Sequence, residues 1–205
     1  MSGNAVGMSI IAIDIDDVIA ATSDAIRISV NDKFNVNLTK EHYSQSGEYW
    51  GYYERVWESN GLVGDDIFGD FVQDMLAEKV EINLLPGAIF AISELAKHNK
   101  IVFVTSRDSA WKDYTLKWLG SNFNFDNIEV HFTKSHLGLE HKTKGEICSD
   151  LGVSLLIDDN ADHCKSAIER GVRAILYGEY GWHSFVPSGV LRCKSWSEVL
   201  ESVNE

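Results

Sequence analysis

Three carboxylates close the first apolar run of the chain, where Ile10-Ile11-Ala12-Ile13 passes into Asp14-Ile15-Asp16-Asp17-Val18. Carboxylates crowded at the end of a buried strand repel one another. At roughly 4 Å a like-charge pair costs about 1 kcal/mol in water and about 4 kcal/mol near a protein surface, so a hard cation bound through oxygen is the simplest occupant of such a cluster. A second run, Leu155-Leu156-Ile157, ends in Asp158-Asp159, and a third, Ile101-Val102-Phe103-Val104, ends in Thr105-Ser106-Arg107. Ligands of an open parallel sheet sit beyond the carboxyl ends of its strands, so these three endings are expected to face one crevice.

The order of these pieces resembles the haloacid dehalogenase superfamily of phosphotransferases. Its four motifs are DxDx[VT], a strand ending in Thr or Ser, a Lys, and a strand ending in paired acids. Here they correspond to Asp14 to Val18, Thr105, Lys144 and Asp158-Asp159, over most of the chain from Ile10 to Trp182. The first and last motifs carry the specificity of the match. Asp17 stands where many relatives have Gly. Within the superfamily, the strings DxDxV, VTSR and LIDDN are most similar to the 5′(3′)-deoxyribonucleotidase type.

The resemblance implies a role for each residue. Asp14 attacks phosphorus and forms a phosphoaspartyl intermediate, which divides one difficult displacement into two easier ones. Asp16 protonates the leaving oxygen and then deprotonates water. Both must reach one phosphate although alternate residues of a strand point to opposite faces, so the chain is expected to leave the strand at Ile15. Thr105 hydrogen-bonds the phosphate and Lys144 supplies positive charge, with Lys142 and Lys134 as competitors for that place. Ser106 and Arg107 follow as substrate contacts, Arg107 having Asp108 as an alternative local partner. Mg²⁺ is the implied cofactor, held by the Asp14 carboxylate, the Asp16 carbonyl and Asp158, with Asp159 binding directly or through water.

The elements that must position these residues follow from hydrophobic periodicity. Helices are expected over 20–31, 88–98, 108–119, 143–151, 161–170 and 195–203, and strands over 100–105, 128–133, 153–157 and 172–177. Such alternation implies an α/β, Rossmann-like, doubly wound and mostly parallel sheet. Between about 34 and 83 strand signals give way to helical spacing. Ile67, Phe68, Phe71, Val72, Met75, Leu76 and Val80 follow it, as does Asp65 at the start of the run. This segment is expected to be a cap inserted after the first strand, with residues 8–33 and 84–205 forming the catalytic core.

Tyr49, Trp50, Tyr52, Tyr53 and Trp57 make the cap strongly aromatic. Trp50, Tyr53 and Trp57 are expected to share a helix face. Packing inside the cap is their ordinary use, but Trp50 and Tyr53 are also candidates for holding a nucleobase, since stacking a base on a ring is worth roughly 1–3 kcal/mol. Trp111 and Trp118 are expected against the sheet. His131, His136 and His141 lack metal-ligand spacing, whereas His163 and His183 fall near crevice loops without an assigned role.

Composition limits the partners. The 205 residues allow one domain with an inserted subdomain, enough to bury about 70% of the unfolded surface. An apolar fraction of 44% and only 2 prolines fit an ordered globular chain. The formal net charge of −13 disfavours extended nucleic acid and anionic membrane. Cys148, Cys164 and Cys193 have neither even number nor CxxC spacing, which fits a reducing cytoplasm. No signal peptide or membrane span is expected.

The implied activity is a phosphatase for a small phosphorylated metabolite, most simply a nucleoside monophosphate, with a homodimer compatible. A nucleic-acid 3′-phosphatase would use the same motifs. A non-catalytic receiver-like phosphoacceptor would use the same residue types, but it places its acid pair early and its phosphoacceptor on a middle strand.

Overall fold

The computed structural model describes residues 8–64, 66–134 and 141–204; Asp65 and His136 lie outside them. The strands are β1 (Ser9–Ile13), β2 (Asn99–Asp108), β3 (Val130–Lys134), β4 (Leu155–Asp158), β5 (Arg173–Tyr177) and β6 (Leu191–Cys193). They form one six-stranded sheet in the order β3-β2-β1-β4-β5-β6, with every neighbouring pair parallel. β1 lies inside the sheet, with Ile13 paired to Phe103 of β2 on one side and Ile157 of β4 on the other. That register brings the acid-bearing ends of β1 and β4 side by side.

The helices are α1 (Thr22–Phe34), α2 (Tyr52–Ser59), α3 (Ile67–Leu76), α4 (Ala88–Ala96), α5 (Lys112–Asn122), α6 (Lys144–Leu151), α7 (Ala161–Ile168) and α8 (Trp196–Asn204). Strand residues alternate between two cores, as the period of two requires. Ile11, Ile13, Phe103, Ile157 and Ile175 face one core with residues from α1, α4, α5 and α8. Ala12, Val102, Val104, Leu156, Ala174 and Leu176 face the other, with Ile147 and Cys148 of α6 and Cys164 and Ala167 of α7. Helices therefore cover both faces, and the architecture is the doubly wound α/β sheet expected.

Several local features differ from the periodicity. β2 runs to Asp108 instead of stopping at Thr105, with a register shift against β3 between those residues. α1 starts two residues later than expected because Val18 to Ala20 are held in a turn on the Ile15 carbonyl. On α4 the buried face is Ala88, Ala91, Ile92 and Leu95, while Ile89 is half exposed. Spacing of three, four and seven selects that face, and α8 and β2 pack against α4. β6 has three residues and no alternating run, which is why periodicity did not identify it.

α6 and α7 approach closely enough to exclude any side chain at Gly145, where a Cβ would lie 2.2 Å from the Ser166 carbonyl oxygen. The obstacle is backbone, so relief requires the helices to separate. Gly145→Ala is expected to cost about 2 kcal/mol or more, within the range of overpacking penalties. Chemical denaturation would check this, and an unchanged midpoint would contradict it.

Candidate active site

β1 ends at Ile13, and the Asp14 amide donates to the Ile157 carbonyl at 3.0 Å, fixing the first acid beside β4. The chain then turns. The Ile15 carbonyl accepts from the amides of Ile19 at 3.0 Å and Ala20 at 2.9 Å, and Asp17 takes a left-handed φ of 56°. This is the strand exit expected at Ile15, and Asp adopts left-handed backbone more readily than most residues. Asp17 therefore holds, without a Gly, a backbone conformation that Gly adopts at least cost.

The oxygens of Asp14, Asp158 and Asp159 lie within 4.8 Å of one another, and all three residues are buried. Lys144 opens α6 on a Thr143–Glu146 capping box and has no solvent exposure. Its Nζ lies 2.8 Å from Asp14 Oδ1 in an ion contact and donates to Asp158 Oδ2 at 2.7 Å. Neither competing lysine is held between the acids as Lys144 is, although Lys134 lines a cavity beside them. Lys142 pairs with Asp150 at 2.7 Å, and Lys134 stands 5.7 Å from the centroid of the Trp50 ring.

Burial acts first on each of these groups, and the neighbours decide the outcome. For Asp14, burial outweighs Lys144 and is reinforced by Asp158 and Asp16, pushing its carboxyl up to about 6. For Asp158, burial is overcome by Lys144 and His163, whose Nδ1 lies 3.2 Å away, and the carboxyl falls to about 2. For Asp159, Lys144 is the smallest of the influences and does not offset the rest. Burial and the charges of Asp158, Asp14 and Asp17 lift it well above the usual carboxylate range. For Lys144, burial is outweighed by Asp14 and Asp158, which raise it.

Asp16 is separated from this trio by a different partner. Arg107 grips it bidentately, Nε to Oδ2 at 2.9 Å and Nη2 to Oδ1 at 2.7 Å, and Thr22 Oγ1 donates to Oδ1 at 2.6 Å. Burial would raise Asp16, but Arg107 and Thr22 hold it below its ordinary value. Arg107 also donates to Thr115 Oγ1 at 3.2 Å. Asp108 instead accepts from the Ala110 amide at 2.8 Å, so the local Arg107–Asp108 pairing is not formed. Thr105 is fully buried, and its hydroxyl oxygen accepts from the Arg107 amide at 3.1 Å. That leaves the hydroxyl proton to be donated elsewhere.

A cavity of about 480 Å³ opens beside these acids. Asp16, Asp17, Ser106, Arg107, Lys134 and Asp159 are among its polar lining residues, and Tyr53, Phe68, Phe71, Met75 and Trp111 among its apolar and aromatic ones. Trp50 reaches the cavity but is 57% exposed and precedes α2. It does not share a helix face with Trp57, which is buried and donates Nε1–H to the Tyr43 hydroxyl at 2.8 Å. Tyr53 lies in the cavity wall and donates to Asp17 Oδ2 at 3.1 Å. Trp118 packs on the core and donates to the Ile82 carbonyl at 3.0 Å.

Sequence reasoning missed the residues that hold the acids in place. Asn160 caps α7 through Oδ1, and its own amide donates to Asp158 Oδ1 at 2.9 Å. Ser23 binds both oxygens of Asp17, from its amide at 2.9 Å and its hydroxyl at 2.6 Å. Burial nevertheless lifts Asp17 to about 7. Trp182 donates its indole N–H to Asp159 Oδ2 at 3.0 Å, and His183 Nε2 lies 2.6 Å from the Asp159 carbonyl oxygen. An Asn after the paired acids was a visible cap signal. Trp182 gave none, because it arrives from a loop after β5.

A metal fits this donor set. Asp159 Oδ1 is buried with no hydrogen-bond partner, and Asp14 Oδ1 has no hydrogen bond beyond its ion contact with Lys144. Buried carboxylate oxygens without donors are costly unless a cation faces them. Asp158 has both oxygens occupied by Lys144, Asn160 and His163, which makes Asp159 the freer of the paired acids.

The similarities to known proteins agree with this geometry. The model of the family described as 5′ nucleotidase, deoxy (pyrimidine), cytosolic type C protein matches residues 8–204. No curated protein matches the chain by sequence. Among solved structures, a haloacid dehalogenase-like protein of unknown function from Agrobacterium tumefaciens has a TM-score of 0.63 and 16% identity, covering 97% of this chain and 98% of its own. A hydrolase of the same superfamily from Bacillus subtilis, bound to magnesium, has a TM-score of 0.62 and 14% identity, covering 97% and 99%. Another from Deinococcus radiodurans, with bound phosphate and sodium, has a TM-score of 0.61 and 13% identity, covering 96% and 95%. These structures share the fold, and the match over residues 8–204 settles the family. The chain belongs to the cytosolic type C deoxy(pyrimidine) 5′-nucleotidases, a family of haloacid dehalogenase-type phosphatases.

Proposed function

We propose that the protein is a Mg²⁺-dependent nucleotidase that hydrolyses (deoxy)nucleoside monophosphates through a phosphoaspartyl intermediate on Asp14. The observation that carries this reading is an aromatic-lined cavity whose wall includes Asp16, Asp17 and Asp159, the last of these a member of the buried acid cluster with Asp14 and Asp158. About 480 Å³ lies within the usual range for small-molecule sites, and the aromatic wall suits a planar base. The chain matches a nucleotidase family throughout its described length.

In this reading residues 34–83 form the cap and residues 8–33 and 84–205 the catalytic core. Asp14 attacks phosphorus. Lys144 balances the charge gathered at Asp14 and Asp158, and Thr105 and Ser106 offer hydrogen bonds to the phosphate. Mg²⁺, held by Asp14, the Asp16 carbonyl and the paired acids Asp158 and Asp159, would neutralise the phosphate oxygens. Asp16 is the acid and base, so the Arg107 clamp must loosen when phosphate enters, because a carboxylate held ionised cannot donate a proton. Arg107 then becomes available to the phosphate. Trp50 and Tyr53, both in the cavity wall, contact the base in this reading. Among the described residues no helix is long and apolar enough to cross a membrane, and a cytoplasmic location fits the three free cysteines.

The test is phosphate release from ribo- and deoxyribonucleoside 5′- and 3′-monophosphates, sugar phosphates, a 3′-phosphorylated oligonucleotide and p-nitrophenyl phosphate, with Mg²⁺ and with chelator. Mg²⁺-dependent preference for mononucleotides is expected. Preference for sugar phosphates or the oligonucleotide would overturn the substrate assignment. Persistent labelling by acetyl phosphate without turnover would favour a phosphoacceptor.

A further inference from the structure

The loop after β5 joins the acid cluster to the aromatic segment around α2 through one side chain. Trp182 is 5% exposed, and its indole N–H points at Asp159, 3.0 Å from Oδ2 and 3.2 Å from the carbonyl oxygen. Its ring stacks on Tyr180, with centroids 4.5 Å apart and planes 5° from parallel. Tyr180 in turn donates to the Asp17 carbonyl at 2.6 Å. The edges of the same indole meet Tyr49, Tyr52 and Tyr53, at centroid distances of 6.0, 5.2 and 6.2 Å. The neighbouring Gly181 carbonyl accepts from the Gly47 amide at 3.0 Å. A Cβ on Gly181 would fall 1.9 Å from the Tyr52 hydroxyl, so the loop has little room to shift.

A carboxylate with one oxygen held by a rigid donor has its other oxygen aimed. For Asp159 that other oxygen is Oδ1, buried, without a hydrogen-bond partner, and part of the group it forms with Asp14 and Asp158. We propose that Trp182 is a positioning residue for the cation site: its N–H fixes the Asp159 carboxylate so that Oδ1 faces the metal, and the aromatic contacts with Tyr49, Tyr52 and Tyr53 fix the indole. The inference rests on the reading of the acid cluster as a divalent-cation site. Donors behind a ligating group orient it, and removing one typically costs 10–100-fold in metal affinity or activity.

The test is a Mg²⁺ titration followed by thermal denaturation, together with kcat and KM for the best substrate. Trp182→Phe keeps a ring in the aromatic cluster but removes the donor. It is expected to raise the Mg²⁺ concentration at half-effect roughly tenfold and to be rescued in kcat by excess Mg²⁺, with KM little changed. Tyr180→Phe keeps the stack and leaves Trp182 donating, so its Mg²⁺ midpoint is expected to match wild type. Trp182→His retains a ring N–H and guards against a Phe variant that does not fold; it is expected to stay within about threefold of wild type. An unchanged midpoint in Trp182→Phe, a tenfold loss in Trp182→His, or an equal loss in Tyr180→Phe would overturn the inference. A wild-type protein that ignores Mg²⁺ altogether would instead defeat the cation-site reading beneath it.

Discussion

Asp14→Asn is expected to lower kcat by at least about 10³-fold, because an amide cannot take the place of the carboxylate nucleophile. The same substitution is expected to stabilise the metal-free protein at neutral pH. Burial and the neighbouring acids raise Asp14 from 3.8 to about 6, so the fold favours the protonated form. The sign follows directly: a carboxyl raised on folding contributes its stability below pH 4, and that contribution disappears as pH rises through about 6. At pH 7 the ionised group costs at most roughly 3 kcal/mol. That ceiling already includes the attraction of Lys144, and an Asn that fits the carboxyl's place imperfectly is expected to gain about 1–2 kcal/mol, or roughly 3–6 °C in melting temperature. Thermal denaturation with chelator at pH 7 measures this. A variant that melts below wild type, or one that turns over near normally, would contradict the assignment.

Lys144→Met should produce the opposite change in stability. Lys144 is among the largest fully buried side chains and sits between Asp14 and Asp158. Removing it leaves the carboxylates of Asp14, Asp158 and Asp159 together without a fixed cation. Breaking a buried pair by removing one partner typically costs 3–5 kcal/mol, which corresponds to a fall of roughly 10 °C or more for a chain of this size. Mg²⁺ should recover more of that loss than it adds to wild type, since it supplies the missing positive charge. Turnover should remain very low even at saturating Mg²⁺. Melting curves with chelator and with excess Mg²⁺ decide the matter, and a variant as stable as wild type without metal would refute the account of the cluster.

These expectations rest on residues of very different legibility. Asp14, Asp16, Thr105 and Asp158-Asp159 could be read from the sequence because apolar strands must end somewhere, and polar residues at those ends meet where a parallel sheet opens. Lys144 was harder, since Lys134 and Lys142 are as close in sequence. What distinguishes it is burial at the position directly after the Thr143 cap, at the start of a helix that α7 packs against. The partner of Arg107 was not legible, because Asp16 and Arg107 meet only when β1 and β2 lie side by side. The aromatic segment was recognised by composition, but the division of labour within it was not. Trp57 turned inward to Tyr43, Tyr53 to Asp17, and Trp50 outward, according to a turn at Gly51 with a φ of 71° that no periodicity displays. α3 was readable from its spacing because its buried face, Ile67, Phe71 and Met75, is a regular stripe of fours.

The interior place of β1 also bears on the order in which the protein can be made. Among the described strands β1 is the first to be synthesised, yet its two partners are the strand beginning at Asn99 and the strand beginning at Leu155. Until the second of these leaves the ribosome, β1 keeps an unpaired edge, and an apolar edge of that kind invites pairing with other chains. Asp14 to Asp17 lie just beyond it, and charges beside an apolar strand resist such pairing. The acids that would later carry chemistry thus serve, while the chain is incomplete, as protection for the strand that presents them.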